Sequence, residues 1–271
     1  MPAIDAQETA ISVRDLRSYY GDRQVLHDIN LTVQRREIMA VMGHSGSGKT
    51  TLFRHLLGLK RPAFGQIELL GNDIAQLPRP ELFELRKQIG VAFQNGALFS
   101  SLSVRQNVEL PLREHTSLDD NTIRIMSRMK LEFMRLAEFE KFMPAQLSGG
   151  MLKRAGLARA VIMDPQLLLF DEPSAGLDPV TSAELDRLIL KLRDVMNMTI
   201  VIITHELHSA FNVADRITVL DHGRQIMTGT REQVRASTDK RIVNMLDRRP
   251  ADDDFDGEAY LNRLTRMVTT R

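Results

Sequence analysis

Apolar and polar positions near the start of the chain follow the two-residue period of β-strands. They alternate in residues 11–13 and again in residues 29–33, with a turn signal at Gly21 between them. The run Ile38–Met42 is apolar throughout, which predicts a buried strand. A helical apolar spacing follows in residues 51–57 and predicts a helix that ends near Gly58.

The spacing becomes helical in the middle of the chain and then returns to strands. Helices are predicted at residues 81–88, after two prolines, and along a charged amphipathic stretch at residues 118–142. Strands are predicted at residues 167–170 and 199–203, with a helix at residues 180–196 between them. Short apolar strands that alternate with helices predict an α/β fold with a mainly parallel sheet. The early strands are predicted to form an N-terminal antiparallel β subdomain.

We predict one main domain over residues 10–245, into which a helical subdomain at about residues 95–160 is inserted. Residues 246–271 form a predicted tail with a break at Pro250, an acidic stretch and a short helix at residues 259–268. The tail is interpreted either as a docking element or as a frayed, solvated terminus, and the sequence leaves both open.

The amino-acid composition limits the classes of function that this protein can have. Of the 271 residues, 43% are hydrophobic, which allows a sizeable core. Lys and Arg number 36 against 35 Asp and Glu, so we expect no nucleic-acid partner. The chain has no Cys, which excludes disulfides and thiolate chemistry and is consistent with a reducing cytosol. We expect neither a membrane-spanning helix nor a secretory signal, since the longest apolar runs are about five residues.

The residues that follow the predicted strand Ile38–Met42 match the pattern G-x-x-x-x-G-K-[ST]. Glycines allow backbone N–H groups to face phosphates, Lys49 adds a positive charge, and Thr50 can ligate Mg²⁺. A purely structural glycine turn is disfavoured, because a strand precedes the motif and a helix follows it. The predicted nucleotide-binding residues of this P-loop are Gly43, His44, Ser45, Gly46, Ser47, Gly48, Lys49, Thr50 and Thr51.

Two adjacent carboxylates follow the predicted strand at residues 167–170. Asp171 is predicted to hold Mg²⁺, and Glu172 is predicted to be the general base that polarises the attacking water. Two adjacent acidic residues lie in an exposed turn in most proteins. The apolar run before them and the P-loop upstream favour a nucleotide triphosphatase instead.

The segment 147–151, Leu-Ser-Gly-Gly-Met, lies 20 residues before Asp171, and with the P-loop and the acid pair it resembles the ABC-transporter ATPase family. In that family the signature serine and glycines bind the γ-phosphate held by the opposite subunit. The resemblance therefore implies a homodimer in which Ser148, Gly149 and Gly150 act in trans. Met151 departs from the usual glutamine of the signature, and we expect altered affinity rather than loss of hydrolysis.

The resemblance implies further catalytic residues. Gln94 resembles the Q-loop residue, which links Mg²⁺ and water to the membrane partner. His205 resembles the switch histidine, which contacts the γ-phosphate and orients water with Glu172. The predicted catalytic residues are therefore Glu172, His205, Lys49 and Gln94. The predicted metal ligands are Thr50, Gln94 and Asp171.

The resemblance also implies contacts for the nucleotide base and for the dimer. Tyr20 resembles the aromatic residue that stacks on adenine, with Val25 packing nearby. Tyr19 is its competitor, because alternation along a strand places one of the two on the nucleotide face. Residues 174–178 resemble the D-loop, which places Asp178 at the other subunit's site.

Residues 93–108 and the following residues 109–116 resemble the ATPases paired with Mce-type lipid transporters, the Mla phospholipid-trafficking system among them. The Met151 variant also occurs in that group. The implied partners are a membrane permease, an Mce-domain lipid-binding protein and a small STAS-domain protein, at the cytoplasmic face of the inner membrane. Leu98, Phe99 and Leu102 are interpreted either as anchors for the permease or as ordinary core of the subdomain.

Three alternatives to an active transporter subunit are a soluble repair ATPase, a translation ATPase and a catalytically silent subunit. A soluble repair ATPase inserts a long coiled coil, but only about 99 residues separate Lys49 from Ser148. A translation ATPase carries two cassettes, whereas this sequence has one P-loop and one signature. A catalytically silent subunit is disfavoured, because Lys49, Asp171, Glu172 and His205 are all present. Import or export of another substrate stays open.

Overall fold

A computed structural model describes residues 9–247, which form ten strands, nine α-helices and two short 3-10 helices. The chain divides into two compact units, Met1–Ala236 and Ser237–Arg271. The predicted boundary between residues 245 and 246 stays a prediction. The predicted tail helix at residues 259–268 lies outside the described residues.

The strands occur in the following order along the chain: β1 (Thr9–Tyr20), β2 (Arg23–Gln34), β3 (Ile38–Met42), β4 (Phe64–Leu69), β5 (Asn72–Asp73), β6 (Ile89–Ala92), β7 (Leu167–Asp171), β8 (Thr199–Thr204), β9 (Arg216–Asp221) and β10 (Arg224–Thr230). The helices are α1 (Lys49–Leu56), α2 (Arg79–Lys87), α3 (Val104–His115), α4 (Asp120–Phe133), α5 (Gly149–Ala160), α6 (Pro179–Met196), α7 (Leu207–Val213), α8 (Arg231–Arg235) and α9 (Lys240–Leu246). The 3-10 helices are Ala137–Phe139 and Pro144–Gln146. Within residues 9–247, no helix combines the length and the apolar character needed to cross a bilayer.

The strands form one ten-stranded sheet in the order β5-β4-β1-β2-β10-β9-β3-β8-β7-β6. From β9 to β6 every neighbouring pair is parallel. The early strands β1, β2, β4 and β5 pair antiparallel, and short turns connect β1 with β2 and β4 with β5. The structure confirms the predicted α/β fold with a mainly parallel sheet, antiparallel N-terminal strands and an inserted helical segment.

Alternate residues of the central strands face opposite sides of the sheet, and each side carries its own apolar core. On one side, Ile38, Ile200 and Phe170 belong to a cluster with the buried residues of α3, α4, α5 and α6. On the other side, Met39 and Val201 belong to a cluster with the apolar residues of α1. Helices on both faces bury the central strands completely, which explains their continuous apolar runs.

The long amphipathic stretch predicted at residues 118–142 is interrupted after α4. Arg135 adopts a left-handed φ of 56°, and the Leu136 N–H donates to the Leu131 carbonyl oxygen at 2.7 Å. This hydrogen bond belongs to a Schellman motif, and Leu131 and Leu136 are both fully buried beside it. The chain turns here because burying Leu136 requires it to leave the helix axis.

A buried asparagine fixes the loop between β6 and α3. Asn107 Oδ1 accepts a hydrogen bond from the Phe99 N–H at 2.7 Å. Asn107 Nδ2 donates to the carbonyl oxygens of Phe99, Leu102 and Ser103, at 3.0 to 3.1 Å. Asn107 is fully buried, so these contacts replace the hydrogen bonds that water would otherwise make with the loop.

We expect Asn107→Ala to destabilise the fold by about 2 to 4 kcal/mol, because it leaves several buried backbone groups without partners. Urea unfolding followed by circular dichroism measures this loss. The matched control is Asn121→Ala on the exposed surface of α4, which should change stability by no more than about 0.5 kcal/mol. Equal stability of the two variants would contradict the role given to Asn107.

Candidate active site

Four loops meet at one edge of the sheet, because β3, β8, β7 and β6 are adjacent and parallel. The register pairs Met42 of β3 with Thr204 of β8, and Ile203 of β8 with Asp171 of β7. The P-loop, His205 and the acid pair therefore leave neighbouring strands at the same edge. Gln94 follows the next strand, β6, beside them. Open α/β sheets bind ligands at this carboxyl edge.

The P-loop has the tight backbone that its glycines predict. A Cβ atom on Gly43 would lie 2.2 Å from the Leu220 carbonyl oxygen, and one on Gly48 would lie 2.6 Å from Leu26 Cδ2. Gly46 and Gly48 have φ values of 80° and 102°, which favour glycine. The loop therefore folds into a concave turn that ends at the N-terminus of α1, an arrangement suited to phosphate.

Two polar groups of the P-loop are placed for an anion. Lys49 is 8% exposed, and its Nζ donates to the carbonyl oxygens of Gly43 at 2.7 Å and His44 at 2.9 Å. Burial lowers the pKa of Lys49, and the nearby carboxylates of Glu172 and Asp171 act in the opposite direction. Ser47 Oγ is buried and has no hydrogen-bond partner among residues 9–247.

Asp171 ends β7 in a half-buried position. Burial raises the pKa of its carboxyl group, the neighbouring Glu172 raises it further, and Lys49 lowers it. Two adjacent carboxylates beside one ammonium leave an excess of negative charge at the strand end. A cation at this position would relieve it.

The Glu172 carboxylate is held by β8 and the residue after it. Oε2 accepts hydrogen bonds from Thr204 Oγ1 at 3.1 Å and from the His205 N–H at 3.3 Å. Oε1 lies 2.8 Å from His205 Nδ1. Glu172 itself has a φ of 49°, a strained value for a residue with a side chain, and its N–H donates to the Ile203 carbonyl oxygen at 2.8 Å. The structure thus brings the predicted base and the predicted switch histidine into direct contact.

The residues at this edge also fit Mg²⁺. Thr50 is exposed at the start of α1, and Thr50 and Asp171 both offer oxygen atoms, the donor type that Mg²⁺ prefers. The described part of the chain contains no group of three or more His, Cys, Asp or Glu side chains that could hold a metal by itself. Mg²⁺ at phosphate sites usually takes one or two protein ligands and completes its shell with phosphate oxygens and water. The two oxygen donors are therefore sufficient for an ion that arrives with a nucleotide.

Comparison with known sequences decides the family. The sequence model of the family described as ABC transporter matches residues 26–175, which include the P-loop, the signature and the acid pair. The chain belongs to the ABC transporter family. As a member of its ATP-binding subunits, this ABC ATPase binds and hydrolyses ATP.

Two relatives cover most of the ABC ATPase. The Haemophilus influenzae protein named intermembrane phospholipid transport system ATP-binding protein MlaF is 41% identical over 88% of this chain and 90% of its own. The Mycobacterium leprae protein named probable ribonucleotide transport ATP-binding protein mkl is 41% identical over 86% of this chain and 67% of its own.

A solved structure supports the fold and the chemistry. The ATP-binding cassette MJ0796, in a dimeric post-hydrolysis state with ADP and Pi, is 28% identical to the ABC ATPase and has a TM-score of 0.74. The similarity covers 81% of this chain and 98% of that one.

The predicted adenine contact lies beside α1. Tyr20 is 45% exposed, and its hydroxyl oxygen accepts a hydrogen bond from Arg54 Nη1 at 3.0 Å, which lowers the pKa of the tyrosine. Lys60 Nζ lies 3.4 Å from the centre of the Tyr20 ring and also donates to the Tyr19 carbonyl oxygen. The Tyr20 side chain is thus fixed next to the P-loop helix. Its contact with adenine, and that of the half-buried Val25, stay predictions.

The signature turn, residues 147–151, begins α5. Ser148 is the N-cap of this helix, and its Oγ accepts a hydrogen bond from the Met151 N–H at 3.3 Å. Ser148 and Gly149 are exposed, whereas Gly150 is buried against α6, where a Cβ atom would lie 2.5 Å from Thr181 Cγ2. Among residues 9–247 no hydrogen bond joins this turn to the P-loop, so the chain does not by itself bring the two motifs together.

The predicted site residues of the Q-loop and the D-loop, Gln94 and Asp178, are exposed, whereas the predicted P-loop residue Thr51 is buried. Asp178 is the N-cap of α6, where its Oδ1 accepts hydrogen bonds from the Val180 and Thr181 N–H groups, both at 3.0 Å. The side chain of Thr181 also bonds to Asp178, and this bond is the largest cause of the lowered pKa of Asp178. Gln94 is exposed after β6. The contacts predicted for Asp178 with the nucleotide and for Gln94 with Mg²⁺ and water stay predictions.

Three residues that support the site were not predicted from the sequence. Thr204 donates to Glu172, as described above. Gly223, in the turn between β9 and β10, donates its N–H to the Ser47 carbonyl oxygen at 3.0 Å and so supports the P-loop. Lys153 of α5 is buried against the backbone that follows Asp171. The position of Thr204 directly before His205 offered a signal, but nothing in the spacing of Gly223 or Lys153 pointed to the site.

Proposed function

We propose that this ABC ATPase works as a homodimer that drives phospholipid transport between membranes, together with a permease and an Mce-type lipid-binding protein. The observation that carries the substrate assignment is the 41% identity to MlaF over 88% of the chain. The resemblance of residues 93–116 and of the Met151 signature to the Mce-associated ATPases supports the same assignment.

Glu172 acts as the general base in the proposed mechanism. Its carboxylate is oriented by Thr204 and His205, and it accepts the proton of the water that attacks the γ-phosphoryl group. His205 keeps the carboxylate in place and contacts the γ-phosphate through its other ring nitrogen. Gln94 positions the same water.

The P-loop binds the phosphates. Backbone N–H groups of residues 43–50 and the ammonium group of Lys49 surround the phosphate oxygens, and Ser47 Oγ supplies a further donor. Thr50, Asp171 and Gln94 would hold Mg²⁺, which would neutralise charge on the phosphates. Lys49 Nζ donates to the carbonyl oxygens of Gly43 and His44, which direct the side chain along the loop that faces the phosphates.

The second half of each site comes from the other subunit. Ser148 and Gly149 are exposed at the N-terminus of α5, where N–H groups and the helix dipole favour an anion. Asp178 is exposed at the N-terminus of α6, close to the same surface. In the proposed head-to-tail dimer these residues face the partner's P-loop, and the neighbour with ADP and Pi is itself dimeric. Phosphate release then removes the charge that links the halves, and the dimer reopens.

The loop after Gln94 is the proposed contact with the permease. Phe99 is 54% exposed, and Leu98 and Leu102 are half-buried beside it. Asn107 fixes the backbone of this loop, so an apolar helix of the permease meets a preformed surface. Binding there holds the ABC ATPase at the cytoplasmic face of the inner membrane, and a STAS-domain protein completes the assembly.

The role of Glu172 predicts the effect of removing the base while keeping its shape. Glu172→Gln should lower kcat about 100-fold or more and leave ATP binding intact, so that ATP traps a stable dimer. Phosphate release and size-exclusion chromatography with ATP measure both effects. Glu184→Gln, the same change on the exposed surface of α6, is the control. Turnover equal to that of the control would refute the assignment.

The composite site predicts complementation between two inactive variants. Ser148→Arg and Lys49→Ala should each abolish hydrolysis as homodimers. Mixed in equal amounts, they should recover about a quarter of the wild-type sites, because only the mixed dimer has one intact P-loop opposite one intact signature. Phosphate release after mixing gives the readout. Full activity of Ser148→Arg alone would remove the trans assignment.

Affinity purification from membranes tests the transport assignment. The full chain should co-purify with a permease and an Mce-domain protein, and mass spectrometry should find phospholipid in the complex. Phe99→Asp should reduce recovery of the permease, whereas Val195→Asp, at the 66% exposed Val195 on α6, should not. Recovery of a solute-binding protein with an amino-acid permease, or of a ribonucleotide transporter, would overturn the phospholipid proposal.

A further inference from the structure

A buried lysine joins the signature helix to the backbone around the proposed base. Lys153 lies on α5, five residues after Ser148, and is 8% exposed. Its Nζ donates to the carbonyl oxygens of Ala175 at 2.6 Å, Pro173 at 2.7 Å and Glu172 at 3.3 Å. An ammonium group has three donors, so each of them has one acceptor in this turn.

The Lys153 ammonium group contacts backbone carbonyl oxygens rather than a carboxylate. Burial lowers the pKa of Lys153, and the charge of Glu172 acts against that effect. Three carbonyl oxygens replace the water that the buried ammonium group would otherwise contact. The carbonyl oxygens of Glu172, Pro173 and Ala175 are thereby held by a single atom of another element, which constrains the path of the chain from Glu172 to Ala175.

The backbone at Glu172 needs such support. Its φ of 49° is strained for a residue with a side chain, and strained backbone persists when several contacts determine it. The Glu172 N–H is held by the Ile203 carbonyl oxygen of β8, and its carbonyl oxygen is held by Lys153 of α5. The two bonds fix the peptide groups on both sides of the proposed base.

The signature turn packs against the segment that Lys153 holds. Leu177 Cδ2 lies 3.9 Å from the position of a Cβ atom on Gly149, and Thr181 Cγ2 lies 2.5 Å from that of Gly150. The signature turn is therefore in contact with the D-loop and with the start of α6 in the same chain. Lys153 is the polar link in this otherwise apolar and steric contact.

We infer that Lys153 is a positioning residue for hydrolysis, which keeps the signature turn of a subunit in register with the Glu172 and D-loop backbone of the same subunit. The inference rests on the roles proposed for Glu172 and Ser148. Because Glu172 serves its own P-loop and Ser148 serves the partner's, Lys153 connects the two nucleotide sites of the dimer. A small displacement of a positioned base is enough to lower the rate strongly.

The test compares kcat with ATP affinity in the full chain. Lys153→Met should lower kcat at least about tenfold, and equilibrium binding of ATP should stay within about twofold of wild type, because the P-loop is untouched. Lys153→Arg, which keeps a charged donor, should return kcat to within about threefold of wild type. The matched control is Lys191→Met on the exposed surface of α6, which removes the same charge and should behave as wild type.

Unchanged kcat in Lys153→Met would overturn the inference, and so would a parallel loss of kcat and ATP affinity, which indicates general damage. Circular dichroism and thermal unfolding establish that each variant is folded. If Lys153→Met is unfolded, Lys153→Gln carries the test with the same thresholds, because it keeps two N–H donors without the charge. Glu172→Gln is measured alongside. Wild-type turnover in Glu172→Gln refutes the proposed base, whereas an inactive Glu172→Gln with an active Lys153→Met refutes the inference alone.

Discussion

The parallel pairing of β3, β8, β7 and β6 is the constraint on which the site depends. Backbone hydrogen bonds fix Met42 opposite Thr204 and Asp171 opposite Ile203. A shift of one residue in either pair would move the P-loop, the base or the histidine to the other face of the sheet. Because helices cover both faces, such a shift would also expose the buried apolar residues of the strands. The burial of the apolar strand residues therefore fixes the register of the strands, and the register fixes the geometry of the site.

Two lysines at the site are buried, and carbonyl oxygens surround the ammonium group of each. Lys49 is held by carbonyl oxygens of its own loop, and Lys153 by those of the turn after β7. Asp171 is desolvated next to Glu172, which disfavours its charge until a cation is present. These groups cost stability in the free chain and are matched to a ligand that carries phosphates and Mg²⁺.

Helix α5 connects the catalytic edge to the proposed permease contact. Its N-terminus carries the signature, and Lys153 binds the turn after the acid pair. Further along, Gly156 packs on Gly96, and Arg159 donates to the carbonyl oxygens of Gly96 and Ala97 at 3.0 and 2.8 Å. One rigid helix thus contacts the signature, the acid pair and the loop after Gln94. Displacement of that loop by a membrane partner would be transmitted to both nucleotide sites.

The sequence by itself determined the central strands, the P-loop and the acid pair, because apolar runs and glycine spacing reflect local requirements of the backbone. It did not predict the buried strand β9, the half-buried strand β10, which lacks a clear period, or the Schellman turn at Arg135. It also missed Lys153, because a lysine in a helix is ordinarily solvated and only packing of α5 against the turn after β7 buries it. The tertiary structure decided these points, since burial and carbonyl direction depend on residues far apart in the chain.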